Sequence, residues 1–144
     1  MVEKRKIIPT VGVLIYTEGK KNVLLVRHGE KASHLTGSYG IPAGRKEENE
    51  SEVETAIREL KEETGLVAKV GDLRPLNKMW IADIQRKDGS TKTFSLRVFV
   101  CDKYSGELTE TEETIPEFVP IENLDKYTFV GNNKEVIRYG LKHG

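Results

Sequence analysis

The sequence predicts an α/β protein in which helices cover both faces of a β-sheet. Three observations support this prediction. Strand-like alternation of apolar and polar residues occurs before and after a central segment, that segment has the period of an amphipathic helix, and a second such helix closes the chain. Strands arranged in this way bury their apolar faces against helices. The chain has 144 residues, which suits a single domain over residues 1–144.

The first two elements are predicted strands joined as a hairpin. Residues 11–15 alternate between apolar and small side chains, and residues 23–26 form an apolar run. The polar segment 18–21 lies between them and suits a turn. A glycine-punctuated loop over residues 29–44 follows the second strand.

The best-defined element is a helix over residues 52–64. Ser51 followed by Glu54 is a capping-box signature for its start, and Gly65 suits a left-handed residue at its end. Four apolar residues recur with the helical period and form its buried face: Val53, Ala56, Ile57 and Leu60.

Further strands and a helix are predicted after the central helix. The strands are residues 66–70, 79–84, 94–101 and 118–121. The turn at Asp88-Gly89 joins the two longer ones. The last helix covers residues 134–142, and Asn132 or Asn133 serves as its N-cap.

Charge and cysteine content exclude several classes of protein. Lys plus Arg and Asp plus Glu each number 23, so the positive charge that binds nucleic-acid polymers or anionic membranes is lacking. The chain has no apolar stretch of about 18 residues that would cross a bilayer. Its N-terminus lacks the apolar region of a signal peptide, and Cys101 is the only cysteine. These features predict a cytoplasmic protein with a buried thiol.

Acidic residues are concentrated in two segments. Residues 45–63 contain eight glutamates and four basic residues, and residues 107–117 contain five glutamates and no basic residue. Composition alone favours solvated acidic faces, and the alternative is that both segments converge on a cation.

The end of the central helix favours the cation. Glu59, Glu62 and Glu63 are neighbours on its last two turns, where each like-charge pair costs roughly 0.2–0.5 kcal/mol. The helix dipole opposes each exposed carboxylate there by roughly a further 0.3–1 kcal/mol. A hard cation such as Mg²⁺, which prefers oxygen ligands, would explain three carboxylates at this position.

Residues 44–66 carry a complete family motif. The segment reads GRKEENESEVETAIRELKEETGL and resembles the Nudix box, G-x5-E-x7-R-E-U-x-E-E-x-G-U with U aliphatic, at all nine specified positions. The close match covers about residues 37–66. The resemblance implies the Nudix α/β/α sandwich with a mixed β-sheet. It also implies hydrolysis of a nucleoside diphosphate linked to another group, with Mg²⁺ as cofactor and Mn²⁺ as a substitute.

The resemblance also implies roles for residues of the box. The metal ligands are three helix glutamates and a backbone carbonyl: Glu59, Glu62, Glu63 and Ala43. Family members often have glycine at the position of Ala43, which still offers its carbonyl. Four residues are expected to be structural: Gly44, Glu50, Arg58 and Gly65. Arg58 is expected to pair with Glu50 and to orient Glu62.

The general base has two candidate positions. Glu59 is one. The other is a loop glutamate that many relatives place shortly before an aromatic strand start and that also binds metal. Glu112, six residues before Phe118, is preferred for this role over Glu113. A solvated loop acid is the alternative interpretation.

Arg27 and Asn133 are the candidate substrate contacts. Relatives often place a phosphate-contacting arginine where Arg27 ends its strand, and surface charge is the alternative. Asn133 resembles the asparagine that binds the base in MutT-type members, and a helix cap is the alternative. Trp80 is a candidate for stacking on a base or for the core. No role is assigned to the histidines, which show no metal-like spacing: His28, His34 and His143.

The preferred substrate is a canonical or oxidised (deoxy)nucleoside triphosphate, cut to a monophosphate and pyrophosphate. The short chain and the segment around Asn133 favour it. The alternative is ADP-ribose or a nucleotide sugar, indicated by Ile-Pro-Ala-Gly at residues 41–44. A non-catalytic nucleotide-binding Nudix module is a third hypothesis, which the complete set of box glutamates disfavours. A small nucleotide is the only partner expected, and a monomer is preferred.

Overall fold

The strands of the protein form two sheets flanked by two α-helices. The computed structural model describes residues 6–29 and 37–144. The strands are β1 (Ile7–Leu14), β2 (Asn22–His28), β3 (Tyr39–Gly40), β4 (Ala43–Arg45), β5 (Leu73–Gln85), β6 (Thr91–Cys101) and β7 (Thr114–Pro120). The α-helices are α1 (Glu52–Thr64) and α2 (Asn133–His143).

The larger sheet is mixed and the smaller sheet is antiparallel. The larger has the order β4-β1-β6-β5, in which β1 and β6 run parallel and the other pairs antiparallel. The smaller has the order β3-β2-β7. No helix among the described residues has the length and apolar character needed to span a bilayer.

Each α-helix covers a separate core. Ala56 and Leu60 of α1 pack in a core with apolar residues of β1, β2 and β6. Val136 and Ile137 of α2 pack in a second core with the opposite faces of the same strands. Strand β6 contributes to both cores, as expected for a central strand covered on two sides. The predicted α/β/α sandwich with a mixed sheet is confirmed.

Both predicted helices are present, and the predicted start and end of α1 are confirmed. Ser51 and Glu54 form both hydrogen bonds of the capping box, and Gly65 ends α1 with φ +85°. Asn132 occupies the N-cap position of α2, but its side chain makes no capping hydrogen bond.

The predicted hairpin of the first two strands is formed only next to its turn, and the strands then separate. Strands β1 and β2 belong to different sheets and meet at the isolated bridge between Tyr16 and Val23. Alternation identifies buried side chains but does not identify which strand supplies the hydrogen-bond partners. In β1 these partners are β4 and β6, and in β2 they are β3 and β7.

Three strand predictions after α1 also need correction. Residues 66–70 form no strand: Val67 makes an isolated bridge with Ser105, and Val70–Asp72 is a 3-10 turn. The predicted strands 79–84 and 118–121 start too late, because β5 begins at Leu73 and β7 at Thr114. Strand β5 has a register shift between Pro75 and Met79, which breaks the alternation that a sequence pattern can detect.

Candidate functional site

A pocket of about 440 Å³ is lined by residues of both sheets, of α1 and of the segment before α2. Its acidic lining comes from α1, from Glu47 in the loop before α1 and from the loop before β7. Its apolar lining comes mainly from alternate residues of β5 and β6: Trp80, Ala82, Ile84, Phe94 and Leu96. The volume is within the range of small-molecule sites, roughly 300–1,000 Å³.

The start of β4 packs directly against the α1 carboxylates. Glu63 accepts a hydrogen bond of 2.6 Å from the backbone N–H of Ala43. The Glu59 carboxylate lies over Gly44, in space that a Cβ at this position would fill. The φ of Gly44 is not positive, so this glycine is needed for the room it leaves and not for its conformational freedom. Ala43 and Gly44 thus lie against two of the predicted metal ligands, and the Ala43 carbonyl remains a predicted ligand.

Arg58 connects the loop before α1 to the carboxylates. Its guanidinium donates two hydrogen bonds to Glu50, of 2.6 and 3.1 Å, and one of 2.9 Å to the carbonyl of Arg45. Nη1 lies 2.7 Å from Glu59 and 3.3 Å from Glu62. The hydrogen bonds from Arg58 are the main reason that the pKa of Glu50 falls to about 2. The predicted pair of Glu50 and Arg58 is therefore present, and Arg58 also orients two of the predicted metal ligands.

The carboxylate cluster carries more negative charge than its surroundings stabilise. Burial raises the pKa of Glu63 well above its usual range, and the charge of Glu59 raises it further. The hydrogen bond from Ala43 only partly opposes these effects. Burial also raises the pKa of Glu59, against the effect of Arg58. A cation near these oxygens would favour the charged carboxylates.

The donor set fits a hard divalent cation. Protein partners engage one oxygen of each glutamate, namely Oε1 of Glu59, Oε2 of Glu62 and Oε1 of Glu63. The second oxygen of each accepts no hydrogen bond among the described residues. Residues 6–29 and 37–144 contain no three acidic, histidine or cysteine side chains already arranged around one metal position.

The loop before β7 brings Glu113 to the pocket. Glu113 lines the pocket, and its charge contributes to the raised pKa of Glu63. The hydroxyl of Thr114 donates to the carbonyl of Glu63 at 3.1 Å and attaches the loop to α1. Glu112 is exposed and is not part of the pocket lining. The structure thus favours Glu113 over the preferred Glu112 as the loop carboxylate.

The two predicted substrate contacts lie in different surroundings. Asn133 lines the pocket, but its amide already accepts from the N–H of Ile41 at 2.9 Å and donates to the carbonyl of Val130 at 2.7 Å. Arg27 is not part of the pocket lining. It lies near Tyr39, whose pKa is raised mainly by burial, and the charge of Arg27 partly opposes that rise.

Trp80 lies in the core and also lines the pocket. Its side chain is 4% exposed and packs edge-on against Tyr139, with ring centroids 5.3 Å apart. Its indole N–H is buried without a hydrogen-bond partner among the described residues. The core interpretation of Trp80 is therefore supported.

Several pocket residues had no predicted role: Thr10, His28, Arg45, Glu47, Arg86 and Phe94. They come from four strands and two loops, and only the pairing of these strands brings them together. His34 lies outside the described residues, and His143 packs against Tyr139 with ring centroids 4.3 Å apart. A position near the metal ligands could have been predicted for Arg45, because it directly follows Gly44, the first glycine of the box.

Comparisons with known proteins agree with this geometry. A sequence profile of the NUDIX domain matches residues 6–139. An ADP-ribose pyrophosphatase from Methanocaldococcus jannaschii is 31% identical over 122 residues, which are 84% of this chain and 68% of that protein. An 8-oxo-dGTP diphosphatase from Proteus vulgaris is 26% identical over 110 residues, which are 76% of this chain and 88% of that protein.

The fold also matches solved structures. The crystal structure of a MutT protein from Methanosarcina mazei Go1 superposes with a TM-score of 0.71 and 21% identity. The match covers 98% of this chain and 99% of that one. At this identity the likeness concerns the fold alone.

Proposed function

The chain belongs to the Nudix family, and we propose that it is a Mg²⁺-dependent hydrolase that cleaves the diphosphate bond of a small nucleotide. The observation that carries this proposal is the cluster of three α1 carboxylates beside Gly44, at the edge of a pocket that also has an apolar wall. The carboxylates suit the diphosphate with its metal, and the apolar wall suits a base. The buried single thiol of Cys101 is consistent with a cytoplasmic enzyme, which we include in the proposal.

The proposed metal site is formed by α1 and the start of β4. Glu59, Glu62 and Glu63 would hold Mg²⁺ with the Ala43 carbonyl, and Arg58 would keep two of these carboxylates in position. A bound divalent ion neutralises phosphate oxygens and lowers the pKa of water.

The proton of the attacking water needs a carboxylate acceptor. Glu59 and Glu113 are the candidates, because both line the pocket. Glu112 remains the alternative if the loop moves when substrate binds.

Two substrate classes are supported by different observations. The relative named 8-oxo-dGTP diphosphatase supports a nucleoside triphosphate, cut to a monophosphate and pyrophosphate. The relative named ADP-ribose pyrophosphatase has the higher identity and supports ADP-ribose or a nucleotide sugar. Both classes contain a diphosphate, which the carboxylate cluster would bind through Mg²⁺.

A substrate panel tests the proposal. The purified protein is incubated with Mg²⁺ and with nucleoside triphosphates, 8-oxo-dGTP, ADP-ribose or nucleotide sugars, and the products are separated by chromatography. We expect turnover of at least one class, loss of turnover in EDTA, and a fall of about 100-fold or more in Glu59→Gln. Glu122→Gln, an exposed glutamate outside the pocket, is the matched control and should retain activity. Undiminished turnover in EDTA would refute the metal mechanism, and nucleotide binding without turnover would support a non-catalytic module.

A further inference from the structure

Two arginines, Arg45 and Arg86, line the pocket. Arg45 ends β4 and Arg86 follows β5, so they come from opposite edges of the larger sheet. Their guanidinium carbons lie 5.8 and 5.7 Å from the centroid of the Phe94 ring, within cation–π distance. None of the ion pairs among residues 6–29 and 37–144 includes either side chain.

The two positive charges are close enough to act on each other. Burial lowers the pKa of Arg86, and the charge of Arg45 lowers it further. Asp88 opposes this effect, but its carboxylate accepts hydrogen bonds from the backbone and hydroxyl of Ser90. Arg86 is half-buried and Arg45 is exposed, and two like charges over one ring are a local cost that a bound anion would reduce.

The position of the pair relates it to the carboxylate cluster. Arg45 follows Gly44, on which the Glu59 carboxylate lies, so the arginines border the place where a metal-bound diphosphate would be held. Guanidinium groups bind phosphate with two parallel hydrogen bonds, which makes a pair of them a strong phosphate site.

We propose that Arg45 and Arg86 form a second anion subsite, which binds the terminal phosphate of a nucleoside triphosphate while the scissile diphosphate lies at the α1 carboxylates. This inference rests on the proposed function and deepens it. ADP-ribose has no third phosphate and gains nothing from the subsite, so the arginine pair favours triphosphates over ADP-ribose.

Metal-free binding tests the subsite without using activity. Inorganic tripolyphosphate is titrated into the protein in EDTA at low ionic strength, and binding is followed by calorimetry. We expect wild type to bind and Arg45→Ala and Arg86→Ala each to weaken binding by about tenfold or more. Arg138→Ala removes a surface arginine paired with Asp125 outside the pocket and should bind like wild type.

Two results would overturn the subsite: no binding by wild type, or equal weakening by Arg138→Ala and the pocket variants. Arg45 is exposed, so its variant keeps the test decisive even where Arg86→Ala fails to fold. Arg86→Lys, which keeps the charge but loses the planar fork, should bind with intermediate affinity.

Kinetics with Mg²⁺ identify the phosphate that is bound. Both alanine variants should raise KM for a nucleoside triphosphate by about tenfold and leave KM for ADP-ribose unchanged. An equal rise for both substrates would overturn the assignment to a third phosphate. If wild type hydrolyses no nucleotide, the proposed function fails, while the metal-free titration still decides whether the arginines bind phosphate.

Discussion

At the scale of single residues, Glu63 combines burial with repulsive neighbours. The charges of Glu59 and Glu62 on α1 and of Glu113 on the loop before β7 act on it, and among the described residues its carboxylate accepts one hydrogen bond, from the backbone N–H of Ala43. The dipole of α1 opposes its charge as well. Such a residue lowers the stability of the metal-free protein and is useful only when a cation is bound.

Glu63→Gln should therefore stabilise the metal-free protein. Glutamine keeps the shape and the acceptor for Ala43 but removes the charge, so we expect a gain of about 0.5–1 kcal/mol at neutral pH. Because the pKa of Glu63 is raised in the folded state, its destabilising effect is absent below the pKa of the unfolded chain and grows as the pH rises through the folded pKa. The gain should thus be larger at pH 8 than at pH 4.5, as measured by urea unfolding in EDTA.

The same variant should respond less to metal. Wild type should gain stability on addition of Mg²⁺ in proportion to occupancy, and Glu63→Gln should gain less. A metal-free variant that is clearly less stable than wild type would show that Glu63 is a structural residue, and this prediction would then be wrong.

At the scale of elements, α1 could be predicted almost completely because its signals are local. The capping box, the apolar period and the terminal glycine all lie within the helix or next to it, and each is present in the structure. The strands were predicted less well. Alternation showed that residues of β1 and β2 are buried, but the neighbouring strands come from distant parts of the chain.

The contact between β4 and α1 explains why the box begins with glycine. Gly44→Ala should push the Glu59 carboxylate out of its present place, because the new methyl group would overlap it. The end of a flexible side chain can move at small cost, so we expect a change in unfolding free energy within about 1 kcal/mol. Metal affinity and turnover should fall by about tenfold or more, because Glu59 is a proposed ligand.

Gly71→Ala is the matched control for this substitution. A Cβ at Gly71 meets no atom within 4 Å, and φ at this residue is not positive. Calorimetric titration with Mn²⁺ and thermal melts of both variants separate the two effects. Full metal affinity in Gly44→Ala would show that Glu59 reaches the metal from elsewhere.

At the scale of the whole molecule, the acidic half of the site was predictable and the basic half was not. The glutamates lie on one helix, so their spacing alone places them together. Arg45 and Arg86 are separated in the chain by α1 and by the whole of β5, and only the order β4-β1-β6-β5 brings both to Phe94. The resemblance favours Glu112 over Glu113 by its spacing from Phe118, but the geometry of a loop has no period from which a sequence could show which of the two lines the pocket.

Asn133 connects parts of the molecule that the sequence could not relate. It lies at the start of α2, and its amide binds the N–H of Ile41, in the short segment between β3 and β4. Strands β3 and β4 belong to different sheets, so this hydrogen bond fixes α2 to the crossing between the sheets. The crossing also leads into Ala43 and Gly44, which border the carboxylate cluster.

We expect Asn133→Ala to act through this connection. The substitution leaves the Ile41 N–H and the Val130 carbonyl without their partner, which should lower the unfolding free energy by about 1–3 kcal/mol. Turnover should fall by a similar factor for all bases, because the crossing moves and no base contact is lost. Asn132→Ala is the control, since the Asn132 side chain makes no capping hydrogen bond and its loss should change stability little. A shift in base preference with unchanged stability of Asn133→Ala would instead support the base-binding role that the family resemblance implies.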